Sequence, residues 1–249
     1  MSMTSTIEAL ELYRVDLGDK LVGFFTDLWN AQEALEQKSV TEDLREMITF
    51  LDGHHDGFKE ATSPLFADDF RIDELTEISS DDVEDLIVRL CDQCGFAPDS
   101  DEATILALAT VSALQPRASA AAAAVGKLDA KAPDLGVCPI CGAPAALGIL
   151  RNEGQAHGGS RDLWCSLCDY TWNYPRIKCA RCGNVRQDEI EFFFNETDKA
   201  HRVYACQDCG GTLKVVDETS LGRFCNPRVE ELVLEDLLDA VIAGEGFAD

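Results

Sequence analysis

Leu10, Leu17, Leu21, Phe24, Phe25, Leu28 and Leu35 recur at three- and four-residue spacing with charged positions between them. That period predicts amphipathic helix over the first part of the chain, with Gly18 a point where it can break. The run SVTEDLREMITFL opens on Ser39 with Glu42 three residues on, a capping-box start. SSDDVEDLIVRL gathers acids in a first turn, where the helix dipole favours them. DEATILALATVSALQ is apolar enough to be a buried helix, and Pro116 is its expected stop. The alanine-rich stretch that follows, with Gly126, Pro133 and Gly136, reads as a short helix running into a linker.

From residue 138 the period changes from 3.6 to 2. After about 217 the helical pattern returns: Asn226 and Pro227 form an N-cap and first-turn pair, and Val229, Val233, Leu237 and Val241 line one face. The expected class is α+β. An acidic all-α domain with its linker spans 1–132, a β region spans 133–217, and a C-terminal helix over 218–249 packs on one or the other.

Cysteine changes this picture most. CxxC pairs stand at Cys138/Cys141, Cys165/Cys168, Cys179/Cys182 and Cys206/Cys209, with 23 residues inside each couple of pairs and an offset of 41 between couples. This is an internal duplication. Each unit reads knuckle, strand, turn, strand, knuckle, strand, the order of a zinc ribbon or rubredoxin-like unit. Two such turns aim four thiolates at one centre. A unit of this size cannot hold itself by apolar burial, whereas a structural metal contributes on the order of 10–16 kcal/mol. Two tetrahedral ions are expected, each held by four cysteine thiolates, with the pairs joined first with second and third with fourth; interleaved sites across the short gap between Cys168 and Cys179 are the alternative. Spacing admits iron or zinc; the C-P-x-C-G opening at Cys138 is the rubredoxin-style knuckle.

Other residues carry less. Cys91 and Cys94 end a predicted helix with Gly95 as its cap, and Cys225 has no partner in sequence. His54 and His55 lie in a loop, and His157 and His201 in or beside ribbon turns. No nucleophile triad or phosphate-cradling loop is present, so no enzyme is expected. The net charge of −25 disfavours nucleic acid and anionic membranes as partners. No apolar run approaches the roughly 18–20 residues of a spanning helix, and the first residues form no export signal. A cytoplasmic location follows as the expectation. One segment opposes the global charge: Arg176, Lys178 and Arg181 interleave with Trp172 and Tyr174, which points to a contact with a protein partner. The alternatives are a nucleic-acid-binding zinc-ribbon protein or a rubredoxin-like redox or metal protein.

The order CPxCG, LWCSLCDYTWNYPRIKCARCG, ACQDCGGTLKVV and a helix ending GEGFA resembles the formate dehydrogenase accessory protein family, FdhE; LVGFFTDLWNAQEAL at 21–35 resembles its N-terminal helix. The resemblance implies two rubredoxin-like sites, with iron-type ligands at the eight paired cysteines. It also implies a cytoplasmic maturation role, in which the protein binds the formate dehydrogenase catalytic subunit and is not itself a catalyst.

Overall fold

The computed structural model describes residues 3–72, 78–128, 135–151 and 160–244. The expected boundary at 132/133, His157 and the GEGFA end lie outside the described residues, GEGFA from its second residue on.

The helical pattern becomes α1 (Met3–Glu11), α2 (Arg14–Leu17), α3 (Asp19–Ala34), α4 (Val40–Asp52), α5 (Phe58–Ala61), α6 (Ser80–Cys94) and α7 (Asp101–Val125). Gly18 does interrupt, at φ 79° between α2 and α3. Ser39 caps α4 as its sequence predicts: the Glu42 N–H donates to Ser39 Oγ at 3.1 Å, and that hydroxyl donates to the Glu42 carboxylate at 2.9 Å. Ser79 caps α6 in the same way.

Pro116 does not stop α7, which runs on to Val125. A proline within a helix leaves the carbonyl four residues back without its N–H. Here that carbonyl belongs to Ser112, and the buried side chain of Gln32 on α3 donates to it through Nε2 at 3.2 Å. With the orphan acceptor satisfied, the alanines beyond, which are strong helix formers, carry the helix forward.

The β region is one six-stranded sheet of β1 (Leu147–Arg151), β2 (Ser160–Trp164), β3 (Thr171–Tyr174), β4 (Ile190–Asn195), β5 (Asp198–Cys206) and β6 (Thr212–Asp217), ordered β3-β2-β1-β6-β5-β4. Neighbours within each unit are antiparallel, and the units join through a parallel pairing of β1 with β6, Leu147 opposite Lys214. Reading across the sheet gives third, second, first strand, then third, second, first again, each with the same direction as its counterpart. The duplicated units are therefore related by translation.

The C-terminal helical pattern divides into α8 (Glu218–Leu221), α9 (Pro227–Val233) and α10 (Glu235–Ala243), with a break at the fully buried Leu234. Asn226 stands at the N-cap of α9, and its amide donates to Thr6 Oγ1 of α1 at 3.1 Å. Leu10, Val22, Trp29 and Val229 form a small core that fastens the first helices to α9. The principal core is continuous from the helices into the first ribbon, with Leu106, Ala113 and Leu114 in the same cluster as Cys138, Cys165 and Trp172.

Candidate metal centres

Four knuckles carry the paired cysteines, and all four have one backbone plan. In each, the N–H of the residue after the second cysteine donates to the carbonyl of the first: Gly142 to Cys138 at 2.9 Å, Asp169 to Cys165 at 2.9 Å, Gly183 to Cys179 at 3.0 Å and Gly210 to Cys206 at 2.8 Å. The N–H of the first cysteine then donates five residues on, to Ala143, Tyr170, Asn184 and Gly211. This curl needs a left-handed residue behind the second cysteine, which is why glycine stands there three times, at φ 77°, 78° and 69°. Asp169 fills the fourth place at φ 58°. Its carboxylate is held by Arg228 of α9, at 3.1 Å to Nε and 2.5 Å to Nη2, and by the Ser119 hydroxyl of α7 at 2.7 Å.

The knuckles converge in the sequential pairing. Cys138, Cys141, Cys165 and Cys168 form one group and Cys179, Cys182, Cys206 and Cys209 the other, with all sulfurs of a group within 4.8 Å of one another. Cys138–Cys168 and Cys141–Cys165 are 3.5 Å apart, and Cys179–Cys209 and Cys182–Cys206 are 3.8 Å apart. A tetrahedral ion with metal–sulfur bonds of about 2.3 Å places its ligands about 3.8 Å apart. Both groups fit a metal ion, and an all-thiolate tetrahedron accepts zinc or iron alike. The thiols also bias one another. Hydrogen bonds from Cys141, Cys165 and Cys168 hold Cys138 well below the ordinary thiol range, while those with Cys138, Cys141 and Cys168 push Cys165 well above it. A bound cation, by bonding to all four, removes the conflict.

Among the described residues these are the groups able to hold a metal. Cys91 and Cys94 end α6 with Gly95 as its left-handed cap, and Cys225 is buried in a small core with Leu147, Trp164, Val216 and Leu234.

The centres differ in exposure. All four ligands of the first are buried, whereas Cys182 and Cys209 of the second are exposed. Burial acts to raise Cys206, but the backbone N–H groups of Cys209 and Asp208, together with hydrogen bonds from the Cys179 and Cys182 thiols, more than offset it and leave the thiol at about 7. The Cys141 carbonyl accepts from the Ser80 N–H at the start of α6 at 2.7 Å, which ties the first centre to the helices. The two centres also touch. Gly136 N–H donates to Ala180 O at 2.7 Å, and a Cβ on Gly136 would stand 2.5 Å from the Ala180 methyl carbon.

The basic–aromatic segment divides between inside and outside. Trp172 and Tyr174 are 7% and 1% exposed, so the aromatics belong to the core, and it is Arg176 and Arg181 that meet solvent, with Lys178 half-buried. Alternation along β3 turns both rings to the covered face of the sheet. Two further residues escaped the sequence reading. Arg161 is a fully buried cation near the rings of Tyr174, opposite it on the adjacent β3, and of Tyr204 on β5 of the second unit. His201, expected in a solvated turn, is buried against Glu230 Oε2 at 2.9 Å and Asp198 Oδ2 at 2.6 Å, and Tyr13 of the α1–α2 turn donates to Glu230 at 2.7 Å. Its one local signal was Asp198, three residues before it.

Residues 137–176 match the family model described as the central domain of FdhE. The chain is similar to the FdhE homologue of Stutzerimonas stutzeri (strain A1501), 38% identical over 81 residues, 32% of this chain and 26% of that protein. It is similar to the homologue of Aquifex aeolicus (strain VF5), 31% identical over 80 residues, 32% of this chain and 28% of that one. The Yersinia pestis (strain Pestoides F) homologue is 34% identical over 116 residues, 45% of this chain and 34% of that one. The matched stretches thus span about a third or less of these curated relatives. The crystal structure of the FdhE protein from Pseudomonas aeruginosa superposes with TM-score 0.62 at 20% identity, covering 97% of this chain and 90% of that one, so the fold is the same. The FdhE resemblance carried by the knuckles is borne out.

Proposed function

We propose that this chain is an accessory protein of formate dehydrogenase, which binds the catalytic subunit of that enzyme during assembly and performs no chemistry of its own. The observation that carries this reading is the match of 137–176 to the FdhE central domain, since that stretch holds every ligand of the first centre and the strands between them. The build of the protein supports it. The first centre is sunk in a core shared with the helices, where a metal ion fixes shape. Arg176, Lys178 and Arg181 would form part of the contact surface where the first unit runs into the second, with the buried Tyr174 hydroxyl holding the backbone between them at Cys179 O. The strong negative charge elsewhere selects a partner with basic surface and speeds encounter with it. Among the described residues no helix is long and apolar enough to cross a membrane. The reading places the work in the cytoplasm.

The test is co-purification of the tagged full chain from cells making formate dehydrogenase, washed at high salt. The expected result is retention of the catalytic subunit, lost in Cys138→Ser. A tagged protein recovered alone, or with nucleic acid that salt releases, overturns the reading.

A further inference from the structure

Five acidic or basic side chains are buried among the described residues: Asp43, Arg161, His201, Lys214 and Glu230. Four sit against an opposite charge: Asp43 on Arg117, Lys214 on Glu231 and Glu235, and His201 with Glu230. Arg161, 2% exposed, has no carboxylate within reach among the described residues. A buried cation without an anion is costly, so its counter-charge must be sought in whatever surrounds it.

Arg161 leaves β2 of the first unit and crosses the sheet toward the second. Gly148 on β1 clears the lane: a Cβ there would meet Arg161 Cδ at 3.4 Å and the Val215 side chain at 3.2 Å. The guanidinium lies 5.2 Å from the Tyr174 ring and 6.0 Å from the Tyr204 ring, and Nη2 donates to Lys178 O at 2.5 Å. Tyr174 donates to the next carbonyl, Cys179 O, at 3.1 Å. Two side chains of the first unit thus grip the backbone at the first ligand of the second centre. Arg161 also shares a cavity of about 20 Å³, room for one water, with Cys179 and Cys206. Its Nε–H has no partner among the described residues.

Four thiolates around a divalent ion carry a net charge of −2, and this is the anion that the neighbourhood of Arg161 would otherwise lack. We propose that Arg161 is the internal counter-ion of the second metal centre, supplied in trans by the first ribbon, so that metal retention at Cys179, Cys182, Cys206 and Cys209 depends on a residue outside that unit. This makes Arg161 a positioning residue, neither a ligand nor a contact for a partner. The proposal rests on metal occupancy of the second centre and is independent of the formate dehydrogenase reading.

The experiment loads the full chain with cadmium-113 and follows its two thiolate-bound signals, assigned through their couplings to cysteine β-protons, as EDTA is added. In Arg161→Met the second-centre signal should vanish at a chelator concentration about tenfold lower than in wild type, the low end of the 10–100-fold range for groups that support metal ligands. The first-centre signal should not move. Arg161→Lys, which keeps the charge and gives up the stacked plane, should hold the second ion within about twofold of wild type if charge is the operative term. Equal loss of both ions, no change in the neutral variant, or a lysine variant as poor as methionine overturns the proposal. So does failure of both Arg161→Met and Arg161→Gln to fold with cadmium saturating, because Arg161 would then be a packing residue.

Discussion

The side-chain amide of Gln32 completes the hydrogen bonding of the Ser112 carbonyl at 3.2 Å, where Pro116 cannot. The orientation of the amide is settled by its partners, because Nε2 faces two acceptors, Ser112 O and Gln115 Oε1. Gln115 in turn donates to Ser166 O, inside the second knuckle of the first centre, at 2.6 Å. Helix continuity and knuckle position are linked through two glutamines.

Replacing Gln32 by alanine should therefore destabilise the fold by about 1–3 kcal/mol, the cost of a buried acceptor left unmade. Restoring the missing donor with Pro116→Ala should shrink that cost, because the new backbone N–H can serve Ser112 itself. Urea denaturation of the two single variants and the double variant measures the coupling, and additive losses would show that Gln32 acts elsewhere.

Asp169 stands where the other three knuckles use glycine, and its carboxylate ties the first centre to Arg228 and Ser119. Asp169→Ala should lower thermal stability more than Asp169→Gly does. Alanine loses the ion pair and also bears a left-handed penalty of roughly 1–2 kcal/mol, whereas glycine loses the ion pair alone. Melting curves of the metal-loaded variants give the order directly, and a glycine variant no better than alanine would contradict it.

The second centre should lose metal first. Cys182 and Cys209 are open to solvent, and the first centre lies inside the shared core. Under limiting chelator, iodoacetamide followed by mass spectrometry should label Cys182 and Cys209 well before Cys138, Cys141, Cys165 or Cys168. Early labelling of the first group would show that its core opens easily.

The buried cluster of His201, Glu230, Asp198 and Tyr13 sets a pH dependence. Burial acts against charging His201, but hydrogen bonds to Glu230 and Asp198 prevail and raise its pKa; its contribution is therefore full below about 6.5 and fades as pH rises through the raised value. Burial acts to raise Glu230, but hydrogen bonds from His201 and Tyr13 and the charge of Arg223 lower it, so its contribution is full above about 4.3 and fades as pH falls through the lowered value. The cluster should hold the first helices most firmly at mildly acid pH, between those limits. The melting-temperature difference between wild type and His201→Gln should be greatest near pH 5–6 and shrink toward pH 9. A difference that grows with pH would reverse the assignment.

What was legible in the sequence was whatever the chain encodes over a few residues. CxxC pairs set among strand-forming runs specify knuckles, so all eight candidate ligands could be read, with the sequential pairing favoured over an interleaved one; the same spacing at Cys91/Cys94, with Gly95 behind it, ends a helix instead. Ser39 with Glu42 likewise announces a helix start. What escaped was set by distant partners. Pro116 reads as a stop unless one knows that Gln32, 84 positions earlier, supplies the missing donor. Arg161 and His201 look like surface residues until the strands that bury them are placed. Trp172 and Tyr174 look like a contact face because alternation alone does not say which side of a strand is covered.

The translational arrangement of the two ribbons gives the sheet a polarity that a twofold duplication would lack. Rotation closes on itself, but translation leaves a leading and a trailing edge, each the complement of the other, as in a growing polymer. β1 offers β6 the same edge that β4, at the end of the sheet, offers to nothing among the described residues. Such an edge invites further addition, and β4 shows two ways of refusing it: an irregularity in register at Phe194/Asn195, and a charge at Glu191 beside the half-exposed Phe192. In growth terms the protein is a two-unit chain with its propagating end capped.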